Sequence, residues 1–245
     1  MDSIPANTGK RVFAGVADIV FLMDVTGSMS PCIDVLKRSI IGFIDRMTST
    51  LDDVPPVTDW RARVVGYRDY EFDNGTENEW FVDNPFTRNA NELKAQIQNM
   101  YADGGGPAPE SLLDAMMKVL HCRVADSEFA LGPTDWRPMD KAAHCLVIFT
   151  DAPYYDTISY PEFRGQGISD VLKISRERRI TGFIFAPDLE QYENGVGRLP
   201  KYTMIPCGDG ADGLGKVMQD DSQLDKLLDT LRRGISMSAS AFIRR

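Results

Sequence analysis

The sequence is poor in the residues that carry much familiar site chemistry, with only 2 histidines and 4 cysteines in 245 residues. Cys32, Cys122, Cys145 and Cys207 are too widely scattered for a zinc site, and a secreted domain stapled by disulfides is normally smaller and richer in cysteine. No uninterrupted apolar run is long enough to span a bilayer, so no membrane contact is expected. The first residues lack an apolar signal-type core, and the first strong hydrophobic run begins only after Asp18. These absences lead to the expectation of a cytoplasmic chain with reduced thiols. A nucleotide P-loop is missing as well, because the glycines at 104–106 are followed by no lysine. Basic charge is scarce: 27 Lys and Arg stand against 36 Asp and Glu, a net charge of −9. Phosphate binding needs a basic surface, so nucleic acid is not an expected partner.

What is present reads as a globular protein, 43% hydrophobic and 26% charged. The acid excess is uneven. Residues 1–122 hold 11 basic and 18 acidic side chains, a balance of −7, and the remainder 16 and 18, a balance of −2. Part of it lies in one stretch, Asp69, Glu71, Asp73, Glu77, Glu79 and Asp83. That stretch reads either as a charged hairpin edge that resists aggregation or as a field attracting a cation or a basic partner.

Hydrophobic periodicity divides the chain. Asp18–Asp24 is a continuous apolar run between two acids, as in a strand buried on both faces. Ser30 and Pro31 read as the start of a helix whose stripe is Ile33, Leu36, Ile40, Phe43, Ile44 and Met47. Residues 61–70 and 79–86 read as a hairpin. A second helix carries Leu93, Ile97, Met100 and Tyr101, and stops at the glycine-proline loop 103–109. A third carries Leu113, Met116, Met117 and Leu120. Buried strands follow over 142–149, 180–186 and 202–206, with a helix over 167–178. Ser222 and Asp225 suggest the cap of a last helix bearing Leu224, Leu227, Leu228, Leu231 and Ile235. The alternation predicts an α/β, doubly wound, mostly parallel sheet with one antiparallel edge hairpin and helices on both faces. One domain is expected over 15–235, between an extension at 1–14 and a tail at 236–245.

Ligands of such sheets bind beyond the carboxyl ends of the strands, where the strand order reverses. The residues there are Asp24, Thr26 and Ser28 after the first strand, Asp69 and Tyr70 after the hairpin's first strand, and Asp151 after the run ending at Phe149. Carboxylate and hydroxyl oxygens without nearby His or Cys suit a hard divalent cation. The spacing Asp24-x-Thr26-x-Ser28 around Gly27 lets three short oxygen-bearing side chains converge. His121 and His144 read as structural, since no nucleophile accompanies them.

The set Asp24-Val-Thr-Gly-Ser-Met29, Gly66-Tyr-Arg-Asp69, Gly104-Gly-Gly-Pro-Ala-Pro-Glu110 and Asp151-Ala-Pro153 resembles the von Willebrand factor A (vWA) domain. The likeness is to its metal-ion-dependent adhesion site, in the intracellular subtype found beside alpha-kinases and in bacterial proteins. That resemblance implies Mg²⁺, with Mn²⁺ or Ca²⁺ as alternatives, held by Asp24, Thr26, Ser28 and Asp151, with Asp69 as an auxiliary ligand. The Thr or Asp that the family carries in the glycine loop falls on Gly106 and Pro107, which offer no side-chain donor. Asp69, Asp103 or an extra water would have to fill that place. The implied role is non-enzymatic: an adaptor whose cation accepts an Asp or Glu from a partner protein, such as an AAA+ ATPase, a kinase or a phosphatase. Tyr70, Tyr154 and Tyr155 are the expected partner contacts. A Mg²⁺-dependent phosphohydrolase of similar fold is the alternative, although Thr26 stands where such enzymes need a second Asp. A degenerate vWA scaffold that works without metal is the third reading.

Overall fold

A computed structural model of the chain describes residues 15–47 and 57–220, together with Ser222, Asp225, Asp229, Thr230 and residues 233–235. Strand β1 (Gly15–Asp24) lies at the centre of a six-stranded sheet. The other strands are β2 (Val57–Tyr67), β3 (Phe81–Asp83), β4 (Ala143–Phe149), β5 (Thr181–Ala186) and β6 (Tyr202–Pro206). Their order is β3-β2-β1-β4-β5-β6, with every pair parallel except β2–β3. The sheet is thus a doubly wound, Rossmann-like one with a single antiparallel edge strand, as the sequence leads one to expect.

The apolar runs of β1 and β4 fill two cores because alternate side chains of a strand point to opposite faces. Ile19, Phe21, Met23, Cys145, Val147 and Phe149 face the layer formed by α1 (Ile33–Met47), α3 (Ala90–Gln98) and α7 (Gly210–Gln219). Val20, Leu22, Leu146 and Ile148 face α4 (Leu112–His121) and α5 (Ile168–Glu177). The helical stripes dock as their periodicity requires: Leu36, Ile40, Phe43 and Ile44 of α1 are buried, and so are Leu113, Met116, Met117 and Leu120 of α4. Short helices α2 (Tyr70–Asp73) and α6 (Glu190–Asn194) sit in the connections after β2 and β5.

Several local expectations change. Ser30 does not cap α1; a 3-10 turn over Gly27–Met29 comes first, and Leu36 N–H donates to Cys32 O at 2.9 Å. The hairpin's two strands are separated by α2, so Asp69 and Tyr70 leave the sheet. Helix α3 ends at Gln98, leaving Tyr101 half exposed rather than on an apolar face. Helix α7 has no counterpart in the sequence reading, because its three glycines mask an apolar stripe that includes the buried Leu214 and Met218. The Ser222 amide and hydroxyl both donate to Asp220 Oδ1, at 3.0 and 2.8 Å. Leu224, Leu227, Leu228, Leu231 and the segments 1–14 and 236–245 lie outside the described residues.

Candidate functional site

Strands β1 and β4 are neighbours, yet their crossovers run to opposite sides, so the strand order reverses between them. The loops that leave their carboxyl ends therefore splay apart and expose a crevice. Asp24 closes β1, and its carboxylate makes a local turn: Oδ1 accepts from Thr26 N–H at 3.0 Å and from Thr26 Oγ1 at 2.7 Å. Thr26 Oγ1 lies 3.0 Å from Ser28 Oγ, and Ser28 Oγ donates to Asp151 Oδ1 at 3.0 Å. The other oxygen of Asp24 accepts from Thr150 Oγ1 at 3.0 Å and Tyr67 OH at 3.3 Å. Asp24, Thr26 and Asp151 are buried, and Ser28 is exposed at the mouth. Four residues expected at the site thus form one hydrogen-bonded run.

The glycine loop forms the next wall. Gly27 N–H donates to Gly104 O at 2.9 Å, and Asp103 N–H to Val25 O at 3.1 Å, which ties this loop to the one after β1. Arg68 is buried, and its guanidinium donates to the carbonyls of Asp103, Glu79 and Tyr101 at 2.8, 2.7 and 3.0 Å. Asp73 Oδ2 accepts from Gly105 N–H at 2.8 Å. Gly105 has φ +81°, and a Cβ there would stand 2.9 Å from Thr26 Cβ, so the loop's approach requires glycine. Asp103 is exposed and accepts from the neighbouring Gly104 N–H, so it does not reach the crevice.

Asp69 does not join the run. It caps α2 by accepting from Glu71 N–H at 3.0 Å, and it also accepts from Ser111 Oγ at 3.2 Å and Tyr155 OH at 3.1 Å. Neither Arg68 nor Arg63 pairs with it; Arg63 turns to Asp83 and Cys122 instead. Of the three tyrosines expected to meet a partner, Tyr154 is 2% exposed and belongs to the core, its hydroxyl donating to Gln191 O at 3.1 Å. Tyr155 is half-buried with its hydroxyl on Asp69, and Tyr70 stacks edge-on with Trp80 and Tyr160. The rim's exposed aromatics are others: Phe72, whose ring covers Gly106, and Tyr101, under the Arg68 guanidinium, are each 51% exposed. Both histidines contact backbone carbonyls away from the run. His121 Nδ1 is 3.0 Å from Met117 O, and His144 Nε2 is 2.8 Å from Arg137 O.

A further acid emerges here. Glu110 lies just before α4, where a β-bridge holds it: its N–H donates to Pro153 O at 2.8 Å, and Tyr155 N–H donates to its carbonyl at 3.0 Å. The sequence signal was its place at the end of the glycine-loop motif, next to a helix with a wide apolar face. Burial raises the proton affinity of Asp24, Asp69, Asp151 and Glu110, because a charged form loses its hydration. Asp24 is raised by burial. Asp151 is pushed up to about 6 by burial and then by the Asp24 charge. Glu110 is pushed up to about 9 by burial and then by Asp24, Asp69, Asp151 and Asp73. Among the described residues none of Asp24, Asp151 and Glu110 forms an ion pair with Lys, Arg or His.

Buried acids without a cationic side chain, together with two hydroxyls, form a donor set suited to a hard divalent cation that keeps part of its water. Among the described residues no three His, Cys, Asp or Glu side chains converge tightly enough to form a metal cluster by themselves. No protein-family model matches the chain, and no curated protein matches it. The functional reading accordingly stands on the chemistry of this crevice.

Proposed function

We propose that the crevice binds Mg²⁺, with Mn²⁺ or Ca²⁺ as substitutes, and that the chain is a non-enzymatic binding module that docks a partner protein through the partner's Asp or Glu. The observation that carries this reading is the unbroken run Asp24–Thr26–Ser28–Asp151 across the switch point, whose acids pair with no cationic side chain among the described residues. When bound, the cation supplies an attraction for an incoming carboxylate and relieves the repulsion among the buried acids. The chain's own residues do the rest. Tyr67 and Thr150 hold Asp24 from below, Thr26 couples it to Ser28, and Ser28 reaches the mouth. Exposed Phe72 and Tyr101 provide apolar area beside it. The order of the four motifs, similar to that of vWA domains, supports the same reading. Partners of the AAA+ ATPase, kinase or phosphatase kind fit it. A cytoplasmic setting belongs to the proposal too, supported by four cysteines that are all free. No helix among the described residues is long and apolar enough to cross a membrane.

A metal-free vWA-like scaffold is the competing reading, favoured by the fact that the same hydroxyls and acids already satisfy one another. A phosphohydrolase is less well supported, because Thr26 Oγ1 is committed to Asp24 and a hydroxyl is no general acid at neutral pH. Melting curves with and without millimolar Mg²⁺ decide. The cation reading expects stabilisation in the wild type, by about 2.7 kcal/mol when Mg²⁺ is at a hundredfold excess over Kd. It expects none in Asp24→Ala. No shift in the wild type leaves the metal-free scaffold, and phosphatase turnover lost in Asp24→Ala overturns the adaptor reading.

A further inference from the structure

Glu110 is 3% exposed, and its Oε2 has no hydrogen-bond partner among the described residues. Its backbone is fixed by the bridge to residues 153–155, just beyond Asp151. Gly105 lies close to both Thr26 and Glu110: a Cβ there would stand 2.9 Å from Thr26 Cβ and 3.6 Å from Glu110 Oε1, the other oxygen of the carboxyl. The neighbouring guanidinium of Arg68 is occupied by three carbonyls. A buried carboxyl with an unsatisfied oxygen destabilises a fold unless something outside the fold pairs with it. On the same side of the crevice, Gly106 and Pro107 supply no side-chain donor.

We infer that Glu110 completes the cation site from the glycine-loop side, as a positioning residue that accepts from the cation's water shell in place of the donor that Gly106 and Pro107 lack. This inference rests on the reading of the crevice as a divalent-cation site. Action through water matches the reluctance of Mg²⁺ to shed its waters. Gly105 lets the glycine loop pack closely against Thr26, with Glu110 beside the same glycine.

The test is calorimetric titration of the full chain with Mg²⁺ and with Mn²⁺, alongside melting in EDTA, for wild type, Glu110→Gln and Asp24→Ala. The expected result is metal affinity at least tenfold weaker in Glu110→Gln, the scale of loss for groups that orient metal-bound water and ligands. Its melting temperature in EDTA should be equal to or above the wild type's, because the variant removes a buried unpaired acid. Wild-type affinity in Glu110→Gln, with binding lost in Asp24→Ala, overturns this inference and leaves the cation site standing. A lower melting temperature of Glu110→Gln in EDTA makes Glu110 a structural residue and overturns it too. No binding of either metal by the wild type overturns both readings.

Discussion

Ser28 Oγ donates to Asp151 Oδ1 at 3.0 Å across a sequence separation of 123 residues. This bond spans the crevice between the two central strands and ties an exposed hydroxyl to a buried carboxylate. A group in that position matters for the site more than for the fold. Ser28→Ala is therefore expected to cost no more than about 1.5 kcal/mol of stability, the upper end for one neutral hydrogen bond. The same variant should weaken Mg²⁺ binding at least tenfold. Urea unfolding in EDTA and calorimetric titration measure the two effects separately.

Gly105 and Gly75 have nearly the same φ, +81° and +80°. A Cβ at Gly75 meets nothing within 4 Å, whereas one at Gly105 meets Thr26 at 2.9 Å. Gly75→Ala should thus show only the backbone cost, about 1 kcal/mol. Gly105→Ala should add a steric cost for a total of about 1–3 kcal/mol and should abolish the stabilisation by Mg²⁺. Equal Mg²⁺ responses in the two variants would sink the idea that the glycine loop shapes the site.

At the other end of the sheet, Asp18 is buried between two guanidinium groups. Arg61 Nε and Arg137 Nε both donate to Asp18 Oδ1, at 3.0 and 2.7 Å. Arg137→Met leaves that acid with one cation fewer in a site closed to water, so a loss of about 3–5 kcal/mol is expected. Mg²⁺ affinity should not change, because this network lies at the amino end of β1. Chemical denaturation together with metal titration checks both halves of the statement.

The same end of the sheet sets a pH dependence. Burial lowers the His144 pKa below its ordinary 6.5, outweighing the pull of Asp18 and of the Arg137 carbonyl. Below 6.5 the unfolded chain then binds a proton that the folded chain refuses, so stability falls as pH drops through that range. Asp18 behaves similarly at lower pH. Burial alone would raise it, but Arg61 and Arg137 outweigh burial and hold it below 3.8, so its contribution is present above 3.8 and lost as pH falls further. His144→Phe should remove the loss that starts near pH 6.5, seen as a flatter difference in urea midpoint from pH 7 to pH 5. An unchanged slope in that variant would refute the assignment.

Much of the fold was legible in the chain because a central parallel strand must be apolar on both faces. Runs such as Ile19–Met23 and Cys145–Phe149 can hardly be anything else. Asp24, Thr26, Ser28 and Asp151 were legible for a related reason: short polar residues directly after such runs mark the carboxyl ends of strands. Helix α7 was not legible, since its glycines hide the stripe that docks Leu214 and Met218. Nor was the fate of the tyrosines, because an amphipathic ring serves equally well in a core or on a rim. Contact with α6 sends Tyr154 inward, while Gly106 leaves room for Phe72 to lie across the rim.

The scarcity of histidine, cysteine and basic charge by itself narrows the chemistry to oxygen donors. Local sequence determined where those oxygens leave the strands, because hydrophobic periodicity and turn chemistry act over a few residues. Tertiary structure alone decided which acids share the crevice. It drew Asp69 away to cap α2, left Asp103 outside, and buried Glu110 next to Gly105. Burial and the unpaired state of a carboxyl arise from packing between segments far apart in the chain, and no local pattern encodes them.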